Sequence, residues 1–259
     1  MNNRITELFK VKKEAVLNIY FTAGYPKIED TTTILKSLEN AGADLVEIGV
    51  PFSDPLADGP TIQASGQQAL ENGMTLDKLF SQLDGIRKEV SLPIILMGYF
   101  NNVLQYGVEE FIKKCAEVGV DGVILPDLPF KMYNDKFKTL FEANNISNIF
   151  LVTPQTTDER MAEIDGSSTG FIYVVSTNST TGNEAKEVDN SQQGYFERIK
   201  AANLKNPKLI GFNIKDNATF TNACEYANGA IIGSAFIKMI TKSTSYESDI
   251  KSFVSSVKG

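Results

Sequence analysis

The chain alternates between short runs of apolar, often β-branched residues and longer segments in which apolar residues recur with the period of a helix. Each short run is followed by a turn rich in Gly, Pro, Asn or Asp, which is typical of buried strands. We predict eight strands on this basis: Val16–Phe21, Asp44–Ile48, Pro93–Met97, Gly122–Leu125, Asn148–Val152, Gly170–Val174, Lys208–Phe212 and Gly229–Ile232.

The segments of helical period lie between these strands and after the last of them. The predicted helices are Asp30–Asn40, Ile62–Glu71 with Leu76–Glu89, Val108–Glu117, Tyr133–Ala143, Asp158–Ile164, Tyr195–Ala202, Ala218–Tyr226, Ser234–Ile240 and Tyr246–Val257.

Eight strand–helix repeats in 259 residues, with no linker-like change in composition, fit one α/β domain over residues 1–259. The architecture that this pattern favours is a single (β/α)8 TIM barrel, with a doubly wound open sheet as the alternative. An additional N-terminal helix, Arg4–Lys13, is expected to cap the floor of the barrel.

In such a barrel, the chemistry lies in the loops that follow the strands. Two of these loops are longer than usual, namely Gly49–Thr61 after strand 2 and Val175–Gln193 after strand 6. Long ordered loops are often lids or binding loops, so we expect function there.

Composition restricts the chemistry further, because the chain contains no histidine. Catalytic triads with histidine, His-ligated zinc and imidazole acid–base catalysis are therefore excluded. The net charge is −7 and the basic residues are scattered, so we expect no nucleic-acid partner. No signal peptide or stretch long enough to span a bilayer is recognisable, and we expect a cytoplasmic protein without membrane contact.

Two carboxylates are candidates for acid–base chemistry. Alternation along strand 2 places Leu45 and Glu47 on one face, and burial in the barrel mouth would raise the pKa of Glu47. A Glu paired with Lys or capping a loop is the alternative. Asp58 lies in the following loop and could complete an acid–base pair, although Asp54 and Asp58 also suit turns and caps. Their spacing matches no calcium loop, and we expect no metal.

Glycine turns on the same rim indicate an anion site. Gly233–Ser234 opens a helix directly after strand 8, where backbone N–H groups and the helix N-terminus favour a phosphate. Gly182 and the turn Gly211–Ile214 would converge there. Lys215 falls in a loop, which disfavours imine chemistry, and the pattern alone reads Tyr173 as a core aromatic.

Several segments together resemble one family, the alpha subunit of tryptophan synthase. The long segment from Gly42 to Gln63 carries most of the resemblance, and matches extend along the whole chain. They include Phe21–Pro26, Met97–Asn101, Pro126–Pro129, Gly170–Tyr173 and Gly229–Ala235.

The resemblance implies retro-aldol cleavage of indole-3-glycerol phosphate to indole and glyceraldehyde 3-phosphate. Glu47 matches the family's catalytic glutamate and Asp58 the aspartate that stabilises the protonated indole. Tyr173 matches an active-site tyrosine, contrary to its reading as core. Residues implied to enclose or adjoin the indole ring are Tyr20, Phe21, Met97, Tyr99, Ile124 and Phe212. Those implied to bind phosphate are Gly182, Asn213, Gly233 and Ser234, and Thr181 is the implied lid threonine near Asp58.

The chain departs from the family pattern at two places, where Ser179 and Asn213 replace glycines. Asn tolerates positive φ better than other side chains, so we expect the backbone donor at position 213 to persist. A weakened barrel that mainly binds and activates its partner is therefore the alternative function.

The resemblance also implies a partner, a beta subunit in an α2β2 heterotetramer. Asp54 and Pro55 lie where family members meet and switch with that subunit. Pyridoxal phosphate is expected only in the beta subunit, so no cofactor is expected in this chain.

Overall fold

The computed structural model describes residues 2–55, 58–176 and 185–259, with the backbone alone for 185–191. Its strands form one parallel sheet in the order β5-β4-β3-β2-β1-β9-β8-β7-β6. The strands are β1 Val16–Thr22, β2 Leu45–Gly49, β3 Ile94–Met97, β4 Gly122–Ile124, β5 Ser147–Ile149, β6 Leu151–Val152, β7 Ile172–Val175, β8 Lys208–Gly211 and β9 Gly229–Ile232.

The sheet closes on itself. β5 and β6 are two parts of one extended run separated by Phe150, whose carbonyl accepts a hydrogen bond of 3.0 Å from the Tyr173 N–H. The nine strands thus occupy eight positions around a ring, which confirms the predicted TIM barrel and excludes the open sheet.

Helices surround this ring. They are α1 Arg4–Val11, α2 Asp30–Ala41, α3 Pro60–Glu71, α4 Leu76–Leu83, α5 Phe100–Tyr106, α6 Val108–Val118, α7 Phe130–Met132, α8 Lys138–Ala143, α9 Asp158–Ser167, α10 Ala185–Ala201, α11 Asn217–Cys224, α12 Ser234–Lys242 and α13 Tyr246–Lys258. A 3₁₀ turn, Ile86–Lys88, and a π-helical turn, Tyr133–Phe137, complete the set.

Several predicted boundaries differ from the structure, and the largest error is at α10. Helix α10 begins at Ala185, ten residues before the expected Tyr195, so the loop after β7 is shorter than the expected Val175–Gln193. The extra turns are mostly polar and lack an apolar period, although Ala, Lys, Glu and Gln are good helix formers. Periodicity alone therefore could not detect them.

Side-chain alternation divides the core into two layers. Leu45 belongs to the cluster inside the barrel, whereas Val46 and Ile48 pack in the cluster between strands and helices. The predicted faces of strand 2 are therefore confirmed, and Glu47 shares the interior parity of Leu45.

Helix α1 covers the floor of the barrel, as expected. Ile5 and Phe9 pack into the interior cluster. Beside them, Asp121 accepts from Arg4 at 3.1 Å and from Arg87 at 2.6 Å, and its side chain is almost fully buried. This clamp fixes the floor at the end of the barrel opposite the loops that carry the chemistry.

Candidate active site

A cavity of about 670 Å³ opens at the carboxyl ends of the strands. Its wall contains Glu47, which was predicted within strand 2, and Asp58, which was predicted in the loop after it. The same wall contains the glycine turn predicted after strand 8. The lining residues are Tyr20, Glu47, Asp58, Gly59, Pro60, Thr61, Ile62, Met97, Tyr173, Phe212, Asn213, Ile214, Lys215, Ile231, Gly233, Ser234, Ala235 and Lys238.

Glu47 reaches this cavity from inside the barrel. Its side chain is 0% exposed, and burial raises its pKa from 4.5 to about 8. A hydrogen bond of 2.5 Å from the Asn18 amide favours the ionised form and offsets part of this rise. No salt bridge in the described residues engages Glu47, so the expectation of a raised pKa holds and the Lys-paired alternative does not.

Asp58 has a different environment at the cavity rim. It is only partly buried, and burial raises its pKa, while a hydrogen bond of 3.2 Å from the Tyr99 hydroxyl acts in the opposite direction. The loop is held at this point because the Gln63 side-chain amide donates to the Asp58 carbonyl at 2.7 Å. The two carboxyl groups thus meet in one cavity, and burial raises the pKa of both.

Tyr20 and Tyr173 line the same cavity near Glu47. Tyr173 is 5% exposed, belongs to the interior cluster and also lines the cavity, so it is at once a core aromatic and a cavity-lining residue. Burial, with the nearby Glu47 and Asp58, raises the pKa of both phenols. Both tyrosines are therefore neutral hydrogen-bonding groups at physiological pH.

The other aromatic and apolar candidates divide into four groups. Met97 and Phe212 line the main cavity, and Tyr99 lies in a small adjoining cavity. Ile124 is fully buried in the interior cluster and is absent from both walls. Phe21 faces the helices, because it is one residue out of phase with Tyr20.

The predicted anion turn also borders this cavity. Asn213, Gly233 and Ser234 line it, and Ser234 is the first residue of α12. Asn213 has φ 60, as expected, and Phe212 before it has φ 66, which the sequence did not indicate. Ser179, Thr181 and Gly182 lie outside the described residues.

Comparison with known proteins agrees with this geometry. The family model described as "Tryptophan synthase alpha chain" matches residues 7–258. The chain belongs to the tryptophan synthase alpha-chain family. Alpha chains of Flavobacterium johnsoniae and Christiangramia forsetii are each 56% identical over 256 residues, covering 99% of this chain and 100% and 98% of theirs. The solved alpha subunit of Legionella pneumophila str. Paris is 31% identical with a TM-score of 0.88, covering 100% and 98% of the two chains.

Family membership identifies the chain as an enzyme, a lyase that cleaves indole-3-glycerol phosphate in tryptophan biosynthesis. It also implies a partner, since an alpha chain is one part of a synthase that contains a beta chain.

Two lysines of this alpha chain were missed as site residues by sequence reasoning. Lys215 and Lys238 line the cavity beside Asn213 and Ser234, and neither forms a salt bridge within the described part of the chain. Lys238 follows Ser234 by one helical turn, so the i, i+4 spacing on α12 was a usable signal. Lys215 was considered only for imine chemistry.

The predicted partner loop borders a second groove. Asp54 is exposed, and its carboxylate accepts from the Ser53 hydroxyl at 2.5 Å. Pro55 is tied to α3 through a bond of 3.5 Å from the Gln63 amide. The neighbouring Pro51, Phe52 and Ser53 line a groove of about 460 Å³, and Glu47 is not part of its lining.

Two further features are absent from the described residues. No group of three or more Cys, Asp or Glu side chains is placed to hold a metal ion. No helix combines the length and apolar character that a membrane span requires.

Proposed function

We propose that this cavity cleaves indole-3-glycerol phosphate with Glu47 as both acid and base. The observation that carries the proposal is the position of Glu47, a buried carboxyl with a pKa of about 8 in the same cavity as Asp58 and the α12 turn. At neutral pH such a carboxyl holds a proton that it can give to carbon, and the resulting carboxylate can then accept one.

The reaction requires two balanced proton transfers. Glu47 donates its proton to C3 of the indole ring, which gives an indolenine cation. The bond between C3 and the glycerol carbon then breaks while the hydroxyl on that carbon loses its proton to the Glu47 carboxylate. Indole and glyceraldehyde 3-phosphate leave, and Glu47 ends as it began, protonated.

Asp58 is proposed to stabilise the cation at N1–H of the indolenine. A carboxylate suits this step because positive charge develops there only after C3 is protonated. The hydrogen bond from Tyr99 supports this role by favouring the ionised form of Asp58.

The indole ring is proposed to lie among Tyr20, Met97, Tyr99, Tyr173 and Phe212, with Ile124 behind them as part of the supporting core. These side chains provide an apolar slot next to the two carboxyl groups. Such a slot excludes water and strengthens the electrostatic interactions within it.

The phosphate is proposed to bind at the other end of the cavity, to backbone N–H groups of Asn213, Gly233 and Ser234. The N-terminus of α12 favours an anion there. Lys215 and Lys238 line this end and add positive charge in a chain whose net charge is −7. Gly182 and Thr181 are proposed to complete the phosphate site and the lid.

The partner is proposed to be a beta subunit that carries pyridoxal phosphate and consumes the indole, in an α2β2 assembly. Asp54 and Pro55 would contact it, because their loop connects the outer groove with Asp58 at the rim of the cavity. We also propose that the assembly is cytoplasmic and that this chain holds no cofactor of its own.

Indole release by the purified chain tests the proposal, measured with and without a beta subunit. Glu47→Gln should lower kcat by at least about a hundredfold, the usual contribution of a positioned acid or base. Glu14→Gln is the control, since Glu14 is exposed in the turn before β1 at the barrel floor. Undiminished turnover by a folded Glu47→Gln variant would overturn the assignment of Glu47.

A further inference from the structure

An amide lies inside the barrel directly beneath the proposed acid. Asn18 of β1 is 0% exposed and is flanked in register by Leu45 of β2 and Ile231 of β9. Its Nδ2 donates to Oε1 of Glu47 at 2.5 Å. A polar residue among these apolar neighbours is costly unless its hydrogen-bonding groups are satisfied.

Only one half of this pair is satisfied. Oδ1 of Asn18 and Oε2 of Glu47 are both buried and have no hydrogen-bond partner in the described part of the chain. Both are acceptors when Glu47 is ionised, so neither can bond the other. A proton on Oε2 turns that oxygen into a donor, and one O–H bond to Oδ1 would satisfy both atoms.

The chemistry of the two groups matches this arrangement. A neutral carboxylic acid and a carboxamide form a paired contact, in which the amide N–H donates to one carboxyl oxygen and the acid O–H donates to the amide oxygen. An ionised carboxylate keeps only the first of these bonds. A buried acceptor that is left unpaired is destabilising, because it has lost its bonds to water and gained none.

We propose that Asn18 is a positioning residue that holds the Glu47 carboxyl in its protonated form through this two-point contact. The inference rests on the proposed role of Glu47 as the acid. Asn18 touches no reacting atom, and it acts by keeping the proton on the carboxyl until C3 of the substrate receives it. Once the proton has left, the unpaired oxygens make the carboxylate a stronger base for the glycerol hydroxyl.

Other groups around Glu47 do not provide this control. Tyr20 faces it from β1, Tyr173 from β7 and Asp58 from the loop after β2. The two phenols are neutral, and no Lys or Arg among the described residues contributes to the pKa of Glu47. Burial and Asn18 are the two influences, and a donor to Oε1 alone would favour the carboxylate.

Removing the amide therefore distinguishes the two-point contact from a single donated bond, because the two predict opposite changes in the pKa of Glu47. Asn18→Leu keeps a similar shape without polar atoms. Under our proposal the ionisation of Glu47 moves to lower pH by about one unit, which is a tenfold change in the equilibrium. Under a single donated bond it moves to higher pH.

Infrared titration measures this ionisation directly. The carbonyl band of the protonated acid is identified as the band that disappears in Glu47→Gln, and it is then followed with pH in the wild type and Asn18→Leu. The matched control is Asn148→Leu, because Asn148 is also a buried asparagine in a strand. It lies on β5 next to Ile149, whose side chain is inside the barrel, so the Asn148 side chain lies on the other face of the strand. The control should titrate as the wild type does.

Kinetics give a second readout. Asn18→Leu should lower kcat for indole release about tenfold and shift its pH profile with the infrared midpoint, while KM changes less than about twofold. Asn18→Ser, which replaces the amide with a shorter hydroxyl side chain, is a second variant in case Leu disturbs the barrel, and its midpoint should move in the same direction. If the infrared midpoint of Glu47 stays or rises in both Asn18 variants, the role of Asn18 is overturned. If Glu47→Gln remains active, the proposed role of Glu47 as the acid is overturned, but the infrared result on Asn18 still holds.

Discussion

The hydroxyl of Tyr173 lies over Gly211 of the neighbouring strand, in the space that any side chain at position 211 would occupy. Tyr20 lies over Gly49 in the same way on the other side of the barrel. In each pair the missing side chain lets a phenol lie flat against the next strand and present its ring to the cavity. Two strand-end glycines therefore determine where two walls of the proposed indole slot stand.

Gly211→Ala is expected to push the Tyr173 ring into the cavity. The added methyl group would overlap the phenol, and overpacking of this kind costs about 1–3 kcal/mol. We expect kcat for indole release to fall at least about tenfold, because small displacements of positioning groups are costly to catalysis. Steady-state kinetics and thermal unfolding measure the two effects.

The control for this substitution is Gly166→Ala. A methyl group at Gly166, on the exposed side of α9, meets nothing within 4 Å. Its stability should be unchanged or rise by up to about 1 kcal/mol, with full activity. Equal activity of the Gly211 and Gly166 variants would show that the Tyr173 ring has room to move.

Glu47→Gln should change how stability depends on pH. The folded-state pKa of Glu47 is about 8 against an ordinary value of 4.5, so between these values the folded chain retains a proton that the unfolded chain has lost. The wild type must therefore lose stability relative to Glu47→Gln as pH rises through this window. The difference should reach several kcal/mol, at about 1.4 kcal/mol per unit of pKa.

Urea unfolding of both proteins at several pH values between about 4 and 9 measures this difference. All other titrating groups are shared, so subtraction isolates position 47. Curves that run parallel across the window would mean that Glu47 is ionised in the folded protein.

Replacing both Lys215 and Lys238 with Gln should weaken phosphate binding. Both side chains line the cavity, and at the proposed phosphate site their charges would act at close range on a dianionic group. We expect KM to rise about tenfold with little change in kcat, and the salt dependence of KM to diminish. Lys242→Gln, in the last turn of the same helix, is the control and should behave as the wild type does.

Tyr99→Phe should raise the pKa of Asp58, because it removes a hydrogen bond that favours the carboxylate. Asp58 would then ionise at higher pH, and the acidic limb of the kcat profile should move upward, with a loss of about fivefold below the new midpoint. Tyr246→Phe removes a similar hydrogen bond to Asp30, far from the cavity, and serves as the control. If the acidic limb of the kcat profile does not move, the ionisation of Asp58 does not control the rate-determining step.

Much of the barrel was predictable because its strands are buried on both faces. Their apolar runs are short and bounded by turn residues, and strand alternation was enough to place Glu47 inside and Val46 outside. The start of α10 was not predictable in this way, since its first turns carry no apolar stripe.

The site was less predictable than the fold. Asn18 lies in an apolar run, where a single polar residue has no periodic signal, and only the opposing strand reveals its partner Glu47. The positive φ of Phe212 is likewise a tertiary effect, because a bulky side chain does not favour that backbone conformation. Lys215 and Asn213 became neighbours of Gly233 only when β8 and β9 paired.

The pairing of β1 with β9 joins Val16 to Gly229 and thereby makes closure of the barrel a contact between distant parts of the chain. During synthesis, β1 lacks one of its two neighbours until β9 has left the ribosome, and its free edge can pair with other chains. Such long-range contacts also form slowly, which lengthens that exposure. Tyr20 lies in β1 and Gly233 directly follows β9, and both line the cavity. The cavity therefore cannot assemble until these two strands have paired.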